Sequence, residues 1–306
     1  MTKNLIFDKI LLISKKEIYK NIKQFKKALL SFVLIVCAVF LCACGNTPPP
    51  VAQIDTLASV NTSGTYTESS ISELNPYLTD GDPAYIGNTS TGYHMSQKYT
   101  TNGQTIMSAN FLFKVTDGTV TEMARKMSMD IVYGPMTMTV KTLEYLKNDT
   151  YYNQEGDVKY FIDNQNDDWD EIIGSELAFD FTETLLEDPD SGISTLLLNP
   201  NLTVTKAVEG TTIKFKATTT TTILDEGDLD GDGDTTEEIS SETETVVLVV
   251  KNGKFDGIKY VYEYTEEGIS EKIEINMVSF TGNIEFPSSF SGYVAYDPAI
   301  HNPSMG

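Results

Sequence analysis

Arginine, histidine and cysteine are nearly absent from this 306-residue sequence. One arginine, Arg125, accompanies 21 lysines, and there are two histidines and three cysteines. So few guanidinium groups leave little capacity for bidentate phosphate clamps. The two histidines, His94 and His301, supply few of the side chains that a Ser-His-Asp triad or a His-based zinc site needs. No glycine-rich phosphate loop joins a predicted strand to a helix. These absences indicate that the protein is not an enzyme.

Acidic residues outnumber basic residues two to one. The chain has 44 Asp and Glu against 22 Lys and Arg, a formal net charge of -22. This balance excludes the basic surface that nucleic acid requires, so no nucleic-acid partner is expected. A hydrophobic content of 40% excludes a wholly disordered chain. The length fits one globular domain with appendages.

The first 43 residues have the composition of a secretory signal. They contain eight lysines and two acids, and residues 29–42 form an apolar run in which Ser31 is the one polar residue. A membrane-spanning helix needs about 20 apolar residues, so this shorter run fits the hydrophobic region of a signal peptide. Residues 1–43 are therefore predicted to be removed.

The end of this run, Leu41, Cys42, Ala43 and Cys44, resembles the bacterial lipobox. The resemblance implies that Cys44 receives a diacylglycerol, that cleavage leaves it as the first residue, and that acyl chains such as palmitate hold the protein on the cell membrane. A plain signal peptide cut after Ala43 and an uncleaved anchor are the alternatives. The Lys-dominated, Arg-poor chain favours a Gram-positive cell surface.

Removal of residues 1–43 would leave Cys44 as the one thiol, which excludes an internal disulfide. Residues 44–92 are rich in Thr, Ser, Pro and Gly and have no sustained apolar period. We interpret them as a lipid-anchored tether and loop, with little order expected between residues 45 and 70. Residues 93–306 are then a single folded domain.

From residue 93 onward, apolar residues alternate with polar residues. Met127, Met129, Ile131 and Tyr133 would share one face of a strand. The pairs Asn102-Gly103, Asp117-Gly118 and Asn252-Gly253 are typical of tight hairpins. We predict a mainly β domain, a curved antiparallel sheet or half-barrel of about nine or ten strands around one or two short helices, with the helical insert near residues 171–198.

This arrangement resembles the LolA and LppX class of lipoprotein carriers and their Gram-positive surface relatives. The residues that carry the resemblance are the strand ladder of residues 106–161, Trp169, the helical interval, the hairpin of residues 246–264 and a final strand ending at Phe286. The resemblance implies a half-barrel wrapped around helices, with a hydrophobic pocket for an acyl chain or a similar ligand.

Four methionines, Met127, Met129, Met136 and Met138, are the candidate lining of that pocket. Methionine is unbranched and polarisable, which suits a flexible apolar guest. The same residues could fill an ordinary core, and Met-x-Met on a strand could bind Cu(I), although no His or Cys stands nearby.

Residues 228–238 form the densest acidic segment of the chain. Its carboxylates alternate, with Gly233 at the sixth position, as in the first half of an EF-hand calcium loop. The position that takes a bidentate Glu in that loop is Ile239, which Glu237 or Glu238 could replace. The candidate calcium ligands are Asp228, Asp230, Asp232, Asp234, Glu237 and Glu238. The alternative is a hydrated hairpin tip, and any bound calcium would be structural.

Three functions remain open. The first is a non-enzymatic carrier or binding module for an apolar or amphipathic, lipid-like ligand. The second is a structural or interaction lipoprotein with a solid core and a calcium-stiffened hairpin. The third is a hydrolase using two carboxylates, a pair that cannot be singled out among so many acids.

Overall fold

The computed structural model describes residues 52–79, 82, 84–85, 92–133, 136–173, 177, 202–227, 236–266 and 268–301. The chain forms two compact units, Thr47–Tyr296 and Met1–Asn46 with Asp297–Gly306. The described part of the second unit is one helical turn, in which the backbone N–H of Asp297 donates to Nδ1 of His301 (2.8 Å).

The described residues of the larger unit form one sheet of 13 strands. These are β1 Thr67–Glu68, β2 Gly92–Thr101, β3 Gln104–Thr116, β4 Thr119–Tyr133, β5 Met136–Lys147, β6 Thr150–Glu155, β7 Val158–Asp163, β8 Thr203–Glu209, β9 Thr212–Gly227, β10 Thr236–Lys251, β11 Lys254–Glu266, β12 Ile269–Ser279 and β13 Val294–Ala295. The described helices are α1 Ile71–Leu78, α2 Trp169–Ile172 and α3 Pro298–His301, and residues Ala52–Asp55 form a 3₁₀ turn.

Two antiparallel meanders make up the sheet. One runs from β2 to β7, the other from β8 to β12, and β12 pairs with β2 where they meet. The two-residue strands β1 and β13 lie at the edges, and β13 pairs parallel to β7. The predicted antiparallel sheet is confirmed in its main body. The strand number is larger than the nine or ten predicted, and the sheet is open.

The predicted hairpin turns are confirmed. Asn102, Asp117 and Asn252 have φ values of 50°, 50° and 54°, and each is followed by a glycine with positive φ. Asn and Gly tolerate this left-handed region, which matches the twist of a two-residue hairpin. A further turn at Asn148 and Asp149 (φ 51° and 58°) was not predicted, because it contains no glycine.

One face of the sheet is crossed by two irregular segments, and we call it the strap face. The N-terminal strap, residues 52–66, runs from β3 and β4 towards β9 and leads into β1. Asn110 donates to the carbonyls of Ile54 (2.9 Å) and Thr56 (2.8 Å), and Ser96 donates to the carbonyl of Ala58 (3.1 Å). His94 shares a 2.9 Å hydrogen bond with Asn110, and burial lowers its pKa.

The C-terminal strap, residues 280–293, covers the strap face of the first meander and leads into β13. Ile284, 6% exposed, packs with Leu112 and Tyr145 in one apolar cluster. The Phe290 ring stacks on Tyr152 at 3.8 Å between centroids. Each strap therefore ends as a short edge strand, which limits the exposed edge of the sheet.

The opposite face, which we call the helical face, carries α1 and α2. Leu74 of α1 is 2% exposed and belongs to the largest described core cluster, which also includes Tyr93, Phe113 and Phe215. Tyr77 of α1 lies 5.4 Å from the Phe215 ring. Ile173, which follows α2, is buried in the same cluster.

One part of the sequence interpretation differs from this fold, and another falls largely outside the described residues. The predicted tether and loop of residues 44–92 contains the N-terminal strap, β1 and α1, because Ile54, Ala58, Val60 and Leu74 are buried against the sheet. Of the predicted helical insert at residues 171–198, α2 covers the beginning. Residues 174–176 and 178–201 lie outside the described residues.

Candidate functional site on the helical face

A continuous line of side chains crosses the helical face at right angles to the strands. Strand register places eight residues side by side: Thr219 (β9), Glu244 (β10), Tyr262 (β11), Ile273 (β12), Tyr99 (β2), Met107 (β3), Met129 (β4) and Val140 (β5). We call its five central members, Tyr262, Ile273, Tyr99, Met107 and Met129, the apolar row. Adjacent strands lie about 4.8 Å apart, so the apolar row spans about 19 Å.

The apolar row is half-buried, unlike the core beside it. Its five members all retain solvent-accessible surface. On the same face, Met277 is 0% exposed and Met123 is 8% exposed. Methionine therefore occurs on this face in two environments, one closed by the core cluster and one open.

A polar group lies at the β9–β10 end of the apolar row. The hydroxyl of Tyr260 donates to Oε1 of Glu244, and the hydroxyl of Tyr262 donates to Oε1 of Glu242, both at 3.3 Å. These are diagonal cross-strand pairs, which long side chains can reach. Thr219 is 5% exposed, and its hydroxyl has no hydrogen-bond partner among the described residues.

The electrostatics of this end follow from burial. Desolvation raises the pKa of Glu244, and the nearby Glu242 carboxylate raises it further, against the hydrogen bond from Tyr260. Burial, followed by the carboxylates, raises the pKa values of Tyr260 and Tyr262 well above the ordinary tyrosine range. Both tyrosines are therefore neutral hydrogen-bond donors at physiological pH.

Arg125 lies farther along the helical face, near β5. It forms an ion pair with Glu144, and its guanidinium lies 5.7 Å from the centre of the Phe111 ring. Glu144 is 4% exposed. The single guanidinium of the chain is thus held by an adjacent carboxylate and an aromatic face.

The predicted methionine lining falls partly on this site. Met127 and Met129 of β4 are half-buried, and Met138 of β5 is 39% exposed opposite Ile131. Register places all three on the helical face. Met136 begins β5, and its side chain lies outside the described residues. Their role in binding stays a prediction.

Sequence reasoning missed three members of the site. Tyr99, Ile273 and Glu244 come from three strands that are far apart in the sequence. Alternation within each strand indicates which face a residue occupies, but the line across strands depends on register. The pairing of β12 with β2, which joins Ile273 to Tyr99, has no local signal.

The predicted acidic loop joins β9 to β10, as expected for a loop between two strands. Residues 228–235, which contain Asp228, Asp230, Asp232 and Asp234, lie outside the described residues. Glu237 and Glu238 are in β10, opposite Glu226 and Asp225. The calcium site stays a prediction, as does lipidation of Cys44, which also lies outside the described residues.

Two further features concern the described residues only. No group of three or more His, Cys, Asp or Glu side chains within them is arranged to hold a metal ion. A depression of about 620 Å³ on the strap face is lined by Tyr66, Thr203, Thr205, Lys216, Thr218 and Thr220. This depression is lined by tyrosine, threonine and lysine and lies on the other side of the sheet from the methionines, so it differs from the predicted pocket.

Comparisons with known proteins leave the chain without an assigned family. No family model and no curated protein matches the sequence. LprF from Mycobacterium bovis matches 73% of this chain over its whole length, with 13% identity and a TM-score of 0.37. The outer membrane protein Omp33 from Acinetobacter baumannii matches 63% of this chain over its whole length, with 6% identity and a TM-score of 0.18. Likenesses this weak carry no argument about function.

The described helices are short. None of them has the length and apolar character that crossing a membrane requires.

Proposed function

We propose that this protein is a lipid-anchored, extracytoplasmic binding module, not an enzyme, whose ligand is apolar or amphipathic and lipid-like. The observation that supports this is the half-buried apolar row on the helical face. Five side chains from five adjacent strands present Met, Tyr and Ile surface to solvent in one line. A ligand with an alkyl chain would cover that line.

The energetic case depends on the contrast between methionines. Met277 and Met123 are already covered by the core, whereas Met107 and Met129 keep surface that a ligand can bury. Each Å² of apolar surface removed from water contributes about 25 cal/mol. Unbranched thioether side chains also adapt to guests of different shape.

The proposed setting is the outer surface of the cell membrane, with Cys44 carrying the diacylglycerol. A chain with a net charge of -22 is repelled by anionic lipid headgroups, so attachment would depend on acyl chains and not on charge. The Gram-positive cell surface remains part of this proposal.

The alternative is a structural or interaction lipoprotein that binds no small ligand. The buried cluster that contains Leu74, Tyr93 and Phe113 favours it, because that part of the helical face is solid. The two functions differ in what they predict for the apolar row.

Titration with a neutral amphiphile separates them. The full chain, carrying ¹³C-methyl methionine and held in phosphatidylcholine nanodiscs, is titrated with decyl maltoside. The binding module predicts saturable shifts of the Met107, Met127 and Met129 methyl signals, with the buried Met123 signal unmoved. Met129→Asp should weaken this binding. Signals that stay in place throughout would overturn the proposal and favour the structural alternative.

A further inference from the structure

Two glutamates lie at the β9–β10 end of the apolar row. Glu242 and Glu244 lie two residues apart on β10, so both side chains are on the helical face. Tyr260 and Tyr262 hold one oxygen of each carboxylate by hydrogen bonds of 3.3 Å. The two carboxylates are thus fixed at the point where the apolar row begins.

The buried hydroxyl of Thr219 is the second observation at this point. Thr219 is the register partner of Glu244, so its side chain lies on the same face, about 5 Å away between Cβ atoms. It is 5% exposed and makes no hydrogen bond within the described part of the chain. A buried polar group without a partner costs about 1–3 kcal/mol, and a bound donor would relieve that cost.

We propose, building on the proposed function, that the ligand has a cationic ammonium head that binds at Glu242, Glu244 and Thr219, and an apolar tail that lies along the apolar row. An ammonium group supplies three N–H donors, which match two carboxylates and one hydroxyl oxygen. The rings of Tyr260 and Tyr262 add faces that attract a cation.

Charge complementarity selects this head over an anionic one. The two carboxylates repel an anion, and the net charge of -22 opposes its approach. The guanidinium that could attract an anion, Arg125, is paired with Glu144. Burial disfavours ionisation of Glu244, so a cation beside it would restore the charged carboxylate.

The experiment compares three ten-carbon amphiphiles that differ in their heads. Decylammonium, decyl maltoside and decanoate are titrated into the full chain in phosphatidylcholine nanodiscs, and the methionine methyl signals of the apolar row report binding. Empty nanodiscs give the background. We expect decylammonium to bind most tightly and decanoate least.

Charge-removing variants locate the head. The double variant Glu242→Gln/Glu244→Gln should weaken decylammonium binding by about tenfold or more, because charge-assisted hydrogen bonds are lost, and should weaken decyl maltoside binding much less. Glu263→Gln is the matched control, since Glu263 is exposed on the strap face and pairs with Lys272 at 2.9 Å. It should leave all three affinities unchanged.

The outcomes separate this inference from the proposed function. Equal binding of the three amphiphiles, unaffected by the double variant, would overturn the cationic head and leave the binding module in place. Preference for decanoate would also overturn it. Absence of binding by all three would overturn both.

Discussion

Arg125 and Glu144 form a largely buried ion pair on the helical face. Their side chains are 22% and 6% exposed, and Arg125 also lies over Phe111. A pair with so little access to water depends on both partners, because removal of one leaves the other charge desolvated.

Arg125→Met should therefore lower the free energy of unfolding by about 3 kcal/mol, and Arg125→Met/Glu144→Leu should recover most of it. Denaturant unfolding measures both. Lys114→Met is the control, because Lys114 and Glu122 are 31% and 38% exposed, and its expected cost is under about 1 kcal/mol. A double variant as unstable as the single variant would contradict this account of the pair.

Two glutamates should give opposite pH dependences. Burial raises the pKa of Glu155 above its ordinary value of 4.5, and Glu144 adds to the rise. Its contribution to stability is full below the unfolded pKa and is lost as the pH rises through the folded pKa. Burial also acts on Glu274, but the hydrogen bonds from Lys259 (2.9 Å) and Asn276 (3.1 Å) outweigh it and lower the pKa. Its contribution is present above the unfolded pKa and is lost as the pH falls through the folded pKa.

The free energy of unfolding of Glu155→Gln, relative to the parent, should therefore rise as the pH rises above about 4.5. The free energy of unfolding of Glu274→Gln, again relative to the parent, should fall as the pH rises towards about 4.5 and should stay low at higher pH. Urea unfolding between about pH 3 and pH 7 measures both differences. Slopes of the same sign in the two variants would contradict the assigned environments.

At the scale of elements, the sequence predicted the hairpins better than the segments between them. Asn102, Asp117 and Asn252 precede glycines, and this local chemistry sets a tight turn wherever it occurs. Ile54, Ala58 and Val60 have no strand or helix period, because each is buried by a different strand that the N-terminal strap crosses. These residues are held in place by tertiary contacts with the sheet, which a local sequence pattern cannot predict.

The same limit applies to the candidate site. The alternation that placed Met127 and Met129 on one face was sufficient to find β4. It could not place Tyr99 and Ile273 in line with Met129, because Tyr99 is linked to Met129 only through the register of Met107, and Ile273 joins the line only when β12 pairs with β2. Bulges, such as the one between Tyr99 and Thr100, shift the register further.

The β9–β10 hairpin carries the predicted calcium loop. Its strands are paired as far as Gly227 and Thr236, so the acidic residues 228–235 connect two fixed ends. We expect millimolar calcium to raise the melting temperature of the full chain, because a ligand that binds the folded state alone stabilises it. Thermal unfolding with and without calcium measures this.

Asp230→Asn/Asp232→Asn should abolish that rise. Asp167→Asn/Asp168→Asn is the control, since these residues lie in a turn outside the loop, and it should preserve the rise. An equal calcium response in both variants would place the effect elsewhere on this acidic surface.

At the scale of the whole molecule, the proposed membrane attachment depends on one sulfur, that of Cys44. Cys44→Ser should lose incorporation of radioactive palmitate and release the protein from the membrane fraction, because no diacylglycerol can form a thioether there. Cys42→Ser is the matched control and should keep the label, since Cys42 lies in the segment that is predicted to be removed. Label retained in the Cys44→Ser protein would contradict the assigned anchor.

The central claim is that the apolar row holds a lipid-like ligand. The most direct measurement is native mass spectrometry of the full chain isolated from its own cell envelope. The account predicts about one amphiphile per chain in addition to the covalent anchor, present in Glu263→Gln and lost in Met107→Asp/Met129→Asp. A chain that carries its anchor and nothing more would contradict it.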